Sequence, residues 1–192
     1  MFKDRLLFSS IFALIIFITF AMFGAFSVAQ DKETAGLLLD SLKDQVFSNI
    51  MDDNPFILSV NLFVNNLEAS LLLFIGGATF GLLTMFVLIT NGIIIGFVVS
   101  YVSDEKGILS IMASIIPHGI FEIPAFIIAA GLGFLLTEAL WMEFKGVGDT
   151  ALSAKKYAKK FVLYVCPLLA VAAVIEAFIT PKIIDLVLQG VL

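Results

Sequence analysis

Uncharged apolar runs separated by short polar breaks organise this chain, and the runs are long enough to predict helices that cross a bilayer. After a charged start, residues 6–28 carry no charge. At about 1.5 Å per residue such a helix spans a hydrocarbon core of about 30 Å. A signal peptide has a shorter apolar core, about 7–15 residues, so an uncleaved first span is expected. The stretch 55–103 is too long for one span. Gly76 and Gly77, with Gly81 nearby, divide it into spans at 55–75 and 78–102. The segment from Ser103 to Gly107 (SDEKG) reads as a turn. A long fourth span follows at 108–136, and a fifth at 161–180 is ended by Pro181. Residues 182–192 read as a short interfacial tail.

Between the first two spans the period changes. Leu37, Leu38, Leu42, Val46, Phe47 and Ile50 recur at helical spacing against Asp40, Lys43, Asp44 and Ser48. This predicts an amphipathic extracytoplasmic helix over 31–51. It lacks the basic face of an anionic-lipid binder, so it is expected to pack on the protein's own outer surface. The fold class is therefore all-α: one polytopic transmembrane helix bundle over 1–192, about five spans plus the amphipathic helix.

Composition supports this reading. The chain is 60% hydrophobic and 14% charged, with mean hydropathy +1.09, whereas soluble domains carry about a quarter charged residues. A globule of this size cannot hide that much apolar surface, so the lipid bilayer must cover the rest. Long unbroken runs argue against a membrane β-barrel, whose strands alternate. Cys166 is the single cysteine, which excludes an internal disulfide, and no basic stripe suggests nucleic acid.

Charge sets the expected orientation. The 30–54 loop has Lys32 and Lys43 against Asp31, Glu33, Asp40, Asp44, Asp52 and Asp53, while Lys145, Lys155, Lys156, Lys159 and Lys160 precede the fifth span. The positive-inside rule places those lysines in the cytoplasm. Five spans in a cell membrane, with a cytoplasmic N-terminus and an outer C-terminus, satisfy it. A rival arrangement makes 66–90 one span and 92–116 a re-entrant hairpin, and would put the lysines outside.

The candidate chemistry sits in the 115–134 stretch. His118 is the only histidine, Glu122 follows one helical turn later, and Pro117 and Pro124 bracket the pair. A charged side chain at the bilayer centre costs about 2.5–3.5 kcal/mol even on lenient scales. Counting residues along the spans brings Asn65, Asn66, Glu68, Asn91, His118, Glu122 and Glu176 to similar depths. They are expected to face one another or a shared wet cavity, because lipid offers no partners. A packing network of interhelical hydrogen bonds is the first reading of this polar centre, and a proton, ion or solute pathway the second. His118 and Glu122 have helical metal-ligand spacing, but one histidine with carboxylates is a poor match to zinc, so no metal is assigned. No catalytic or cofactor-binding motif is present. Pro117 should kink its helix and free a carbonyl near residue 113. Gly92 with Gly96, and Gly77 with Gly81, are small-xxx-small pairs suited to close helix packing or to a homo-oligomer face. Gly76, Gly119 and Pro124 are further structural candidates.

The order Asn65-Asn66, a glycine-rich stretch, Asn91-Gly92 with Gly96, then Pro117-His118-Gly119 and Phe121-Glu122 resembles the stage II sporulation protein M family of multi-pass membrane proteins. The similarity covers roughly residues 5 to 190, and the Pro-His-Gly…Glu element is its specific part. The resemblance implies a scaffold in a membrane complex and not a hydrolase. In sporulating bacteria the family's namesake acts with peptidoglycan-degrading partners during engulfment. The expectation is thus a non-enzymatic integral membrane protein that anchors protein partners, with 31–51 and 145–160 as docking surfaces. The alternative is a channel or transporter subunit with His118 and Glu122 as the relay.

Overall fold

The structure, a computed structural model, describes residues 2–30, 35–37 and 54–189. Among them all regular structure is helical: α1 (Phe2–Gln30), α2 (Pro55–Ile75), α3 (Leu82–Lys106), α4 (Ile108–Phe144), α5 (Thr150–Lys160), α6 (Cys166–Phe178) and α7 (Thr180–Leu188). Five helical stretches are long and apolar enough to cross a membrane: Asp4–Val28, Pro55–Thr79, Leu82–Lys106, Ile108–Phe144 and Thr150–Phe178. The expected number of spans is met, and the rival arrangement fails at its single span 66–90, which the turn at Gly76–Gly81 breaks in two. Most of the expected amphipathic helix at 31–51 lies outside the described residues.

Local chemistry sets each boundary. Asn54 caps α2 by accepting the Phe56 N–H at 2.9 Å, and Pro55 occupies the first turn, where no donor is needed. The Gly76–Thr79 stretch tightens into a 3-10 turn, and Phe80 and Gly81 are both left-handed, with φ of 54° and 81°. The Thr79 hydroxyl accepts the Leu83 N–H at 3.0 Å and starts α3. The third span therefore begins four residues later than its expected start at 78, because the double glycine is spent on the turn. Its far end also differs. Ser103 to Lys106 remain helical, and Gly107 alone makes the break, at φ 83° and ψ 156°, a conformation open essentially to glycine only.

Two further span boundaries differ from the expected ones. The α4 helix runs for 37 residues through both Pro117 and Pro124, eight beyond the expected end at 136. The fifth span starts earlier, at Thr150, where Asp149 caps α5 by accepting the Leu152 N–H at 2.9 Å. A π turn at Phe161–Val165 joins α5 to α6. Its extra residue precedes Pro167, whose ring would crowd a carbonyl in an unbroken α-helix.

The bundle is built around α4, which touches every other described helix. Ala125, Ala129, Ala130 and Leu132 on it are wholly buried. Glycines let the other helices approach. A Cβ at Gly92 would lie 2.9 Å from the Phe17 carbonyl oxygen, and one at Gly24 would overlap the Ile93 carbonyl, so α1 and α3 run side by side in the same direction. A Cβ at Gly77 would strike Gly133, and one at Gly133 would strike the Leu73 carbonyl. The small-xxx-small positions are thus occupied inside the chain. Hydroxyls tie the same junction: buried Thr84 donates to the Leu73 carbonyl at 2.8 Å, and half-buried Thr137 to that of Gly77 at 3.1 Å. Leu7, Phe8, Ile11, Ile15, Met22 and Phe26 face outward from α1, a surface suited to lipid.

The helix directions give the bundle two unlike ends. One gathers Arg5, Glu138, Tyr157 and the lysines of α5, with an ion pair between Arg5 and Glu138. The other gathers Val28, Tyr101, Asp104 and Glu105.

Candidate functional site

Pro117 has no N–H, so the α4 ladder loses the bond to the Ala113 carbonyl, yet the helix continues. The next residue, His118, and Glu122 lie on one face a turn apart. Their nearest atoms, Nε2 and Oε2, are 3.9 Å apart. Glu176, in the last turn of α6, completes the group. One ligand atom from each of His118, Glu122 and Glu176 can be chosen so that all three lie within 4.8 Å of one another.

The start of α7 adds Thr180. Its hydroxyl donates to the Ile175 carbonyl at 3.3 Å and lies 3.5 Å from His118 Nδ1, at the long limit of a hydrogen bond. When His118 carries its proton on Nδ1, the Thr180 oxygen is its acceptor. That arrangement leaves the Nε2 lone pair facing the two glutamates. Neither carboxylate pairs with a lysine or arginine among the described residues.

A cavity of about 340 Å³ opens on this group. Asn65, Asn66, Ser114, His118, Glu122 and Glu176 supply its polar wall. A smaller pocket of about 70 Å³ shares Asn65, Asn66 and Glu122 and reaches deeper, to Ser70 and Asn91. The Ser70 oxygen is buried with no hydrogen-bond partner among the described residues. The Asn91 amide donates to the Val87 carbonyl at 2.8 Å, which leaves its oxygen for the pocket. At about 1.5 Å per residue, His118 is about 15 Å along α4 from the acidic end of the bundle.

Six of the seven polar residues expected at the centre line these joined cavities. Glu68 does not: it is exposed on α2. Two positions past Asn66 is about 200° around a helix, so Glu68 points away from Asn66. Gly119 lines the cavity, and a Cβ there would make only ordinary contacts, 3.4 Å to Ile115. Three participants carried no strong sequence signal. Ser114 and Ser70 sit one turn from His118 and Asn66, a spacing that points to them. Thr180 lay at the expected end of a span, yet it stands one turn beyond Glu176, so the same spacing points to it.

The chain matches the family model described as "Stage II sporulation protein M" over residues 13–181. An uncharacterized protein of Methanocaldococcus jannaschii is 34% identical over 148 residues, covering 76% of this chain and 83% of that protein. A second uncharacterized protein of the same archaeon is 31% identical over 137 residues, covering 69% of this chain and 59% of its own length. No solved structure matches.

Proposed function

The chain belongs to the stage II sporulation protein M family, and on that premise we propose that it is an integral membrane protein that takes a small cation, a proton included, into its intramembrane cavity. The observation that carries this reading is the convergence of His118, Glu122 and Glu176 from two helices on the wall of a cavity of about 340 Å³. A packing network should be dry and paired. Among the described residues Ser70 is buried without a partner and Glu176 has no ion pair, and the space exceeds the roughly 30 Å³ that one liquid water occupies many times over. Ionisable groups at such depth are costly, and in membrane proteins they commonly mark pathways.

Charge favours a cation. The segment 31–53 carries six acidic residues and joins α1 to α2 at the end where Asp104 and Glu105 stand. Clustered negative charge raises the local concentration of cations. With the lysine end in the cytoplasm of a cell membrane, the N-terminus lies inside, the C-terminus outside, and the cavity is nearer the outer face. Reporter domains fused to either terminus test that orientation.

The central experiment is uptake into vesicles containing the purified chain, driven by a pH gradient or by a monovalent or divalent cation gradient. Uptake should occur, and Glu122→Gln and Glu176→Gln should each lower it at least tenfold while the protein keeps its helical content. Uptake indifferent to both substitutions would end this reading.

A scaffold role in a membrane complex is the second reading, supported by the lysine end. Trp141 stacks on Phe144 with ring centroids 5.8 Å apart, Lys145 lies 5.0 Å over the Trp141 ring, and Lys155, Lys156 and Lys159 are exposed on α5. This aromatic and basic surface suits an acidic partner or the membrane interface. The other candidate docking surface, 31–51, lies mostly outside the described residues. A scaffold would keep its partners after His118→Ala. A homo-oligomer would use faces other than the glycine pairs, which are filled by α1 and α4.

A further inference from the structure

We propose that His118, Glu122 and Glu176 form a binding site for one divalent first-row transition metal ion, with His118 Nε2 and one oxygen from each carboxylate as ligands. The inference rests on the cation-cavity reading and narrows it to a metal.

Distance is the first argument. Nitrogen and oxygen ligands lie about 2.0–2.2 Å from such an ion, which puts neighbouring donors about 3.4 Å apart in a tetrahedral site. The chosen donor atoms already lie within 4.8 Å of one another, and the His118 and Glu122 pair at 3.9 Å. Small side-chain rotations close the remaining gap. Two ligands share one face of α4, and the third comes from the last turn of α6.

Charge is the second. A neutral imidazole with two carboxylates carries two negative charges, which a dication cancels. Without it, two glutamates face each other inside a membrane span with no lysine or arginine beside them among the described residues. A buried like-charge pair of that kind is unfavourable.

Ligand type narrows the ion. Calcium takes about six to eight oxygen ligands, more than three side chains supply. Copper(I) prefers sulfur, and Cys166 does not line the cavity. One histidine with carboxylates is poor in the nitrogen and sulfur donors zinc favours, as the sequence indicated, but Glu176 supplies a third donor, and such a set accepts cobalt, zinc, iron(II) or manganese.

The surroundings supply the third argument. A metal-bound histidine ordinarily donates its other N–H to a neighbouring acceptor, which holds the ring in place. The Thr180 hydroxyl stands beside His118 Nδ1 for that purpose. Three protein ligands would leave coordination positions open, and Asn65, Asn66 and Ser114 line the same cavity. Structural zinc sites are closed by four ligands, whereas an open site exchanges its ion or its waters. Exchange fits a chain that takes up the ion more than one that is merely folded by it.

The test uses the purified full chain in detergent, stripped with a chelator and titrated with Co²⁺ and then Zn²⁺. One equivalent of Co²⁺ should bind with visible absorption of a low-coordinate site, and Zn²⁺ should displace it. His118→Ala and Glu176→Gln should each weaken binding at least tenfold with unchanged helical content and elution volume. Thr180→Val, acting only through the ring, should keep the stoichiometry, weaken binding less and shift the cobalt spectrum. Glu68→Gln should change nothing. Absence of stoichiometric binding, or binding indifferent to Glu176→Gln, overturns the metal site. Proton or monovalent-cation uptake by metal-free vesicles separates the two readings. If the metal does not bind but that uptake persists and still depends on Glu122, the cation cavity stands and the metal falls. If uptake of every cation is absent as well, both fall.

Discussion

Gly96 of α3 lies against the carbonyl of Ala21 in α1, so close that a methyl group at 96 would overlap it. The contact is backbone to backbone and cannot be relieved by a rotamer change. Gly96→Ala should therefore push α1 from α3 and cost about 1–3 kcal/mol, the range for overpacked cores. A lower melting temperature in detergent is the expected result. Gly119→Ala serves as the contrast: its Cβ meets only ordinary contacts. Replacing a mid-helix glycine there should be neutral or gain up to about 1 kcal/mol.

Thr84 is wholly buried and donates to the Leu73 carbonyl at 2.8 Å, across the turn between α2 and α3. Thr84→Val keeps the shape and removes the donor. The expected loss is about 1 kcal/mol, since net hydrogen-bond contributions in bilayers are of that order. An unchanged unfolding midpoint would show that the carbonyl finds another donor.

The cavity should be open to water. In a Cys166→Ala background, Ser114→Cys should react with a membrane-impermeant thiol reagent, because Ser114 lines the larger cavity. Ile11→Cys, on the outward face of α1, should be shielded by lipid and stay unlabelled. Equal labelling of the two positions would contradict this arrangement.

Arg5 and Glu138 clamp the start of α1 to α4, but both side chains are about half exposed, at 48% and 49%. Screening then limits the pair. A double-mutant cycle with Arg5→Ala and Glu138→Ala should give a coupling below about 1 kcal/mol. A larger value would mean that lipid excludes water from this end.

Much of the site was legible before the fold was known. His118 and Glu122 stand out because a membrane span rarely tolerates them, and their spacing of one turn places them on one face. Asn65, Asn66 and Asn91 follow from the same argument at matching depths. Glu68 satisfied the depth argument and still turned outward, because depth along a helix says nothing about its rotation. Thr180 was passed over because it stood at the expected end of a span, although it lies one turn past Glu176 and reaches His118 from there.

The sequence by itself determined the class of fold. Long uncharged runs demand lipid, the backbone must then satisfy itself in helices, and glycine pairs with lone charges mark the breaks. Tertiary structure decided which faces meet. The glycines at 77, 92 and 96 suit any close partner equally well, and packing assigned them to α1 and α4 within one chain. Packing likewise brought Glu176 from α6 to the His118–Glu122 pair on α4. Helical periodicity records position along and around a single helix. The rotation of one helix against another is settled by side-chain volumes and backbone approach, which exist only once the bundle is assembled.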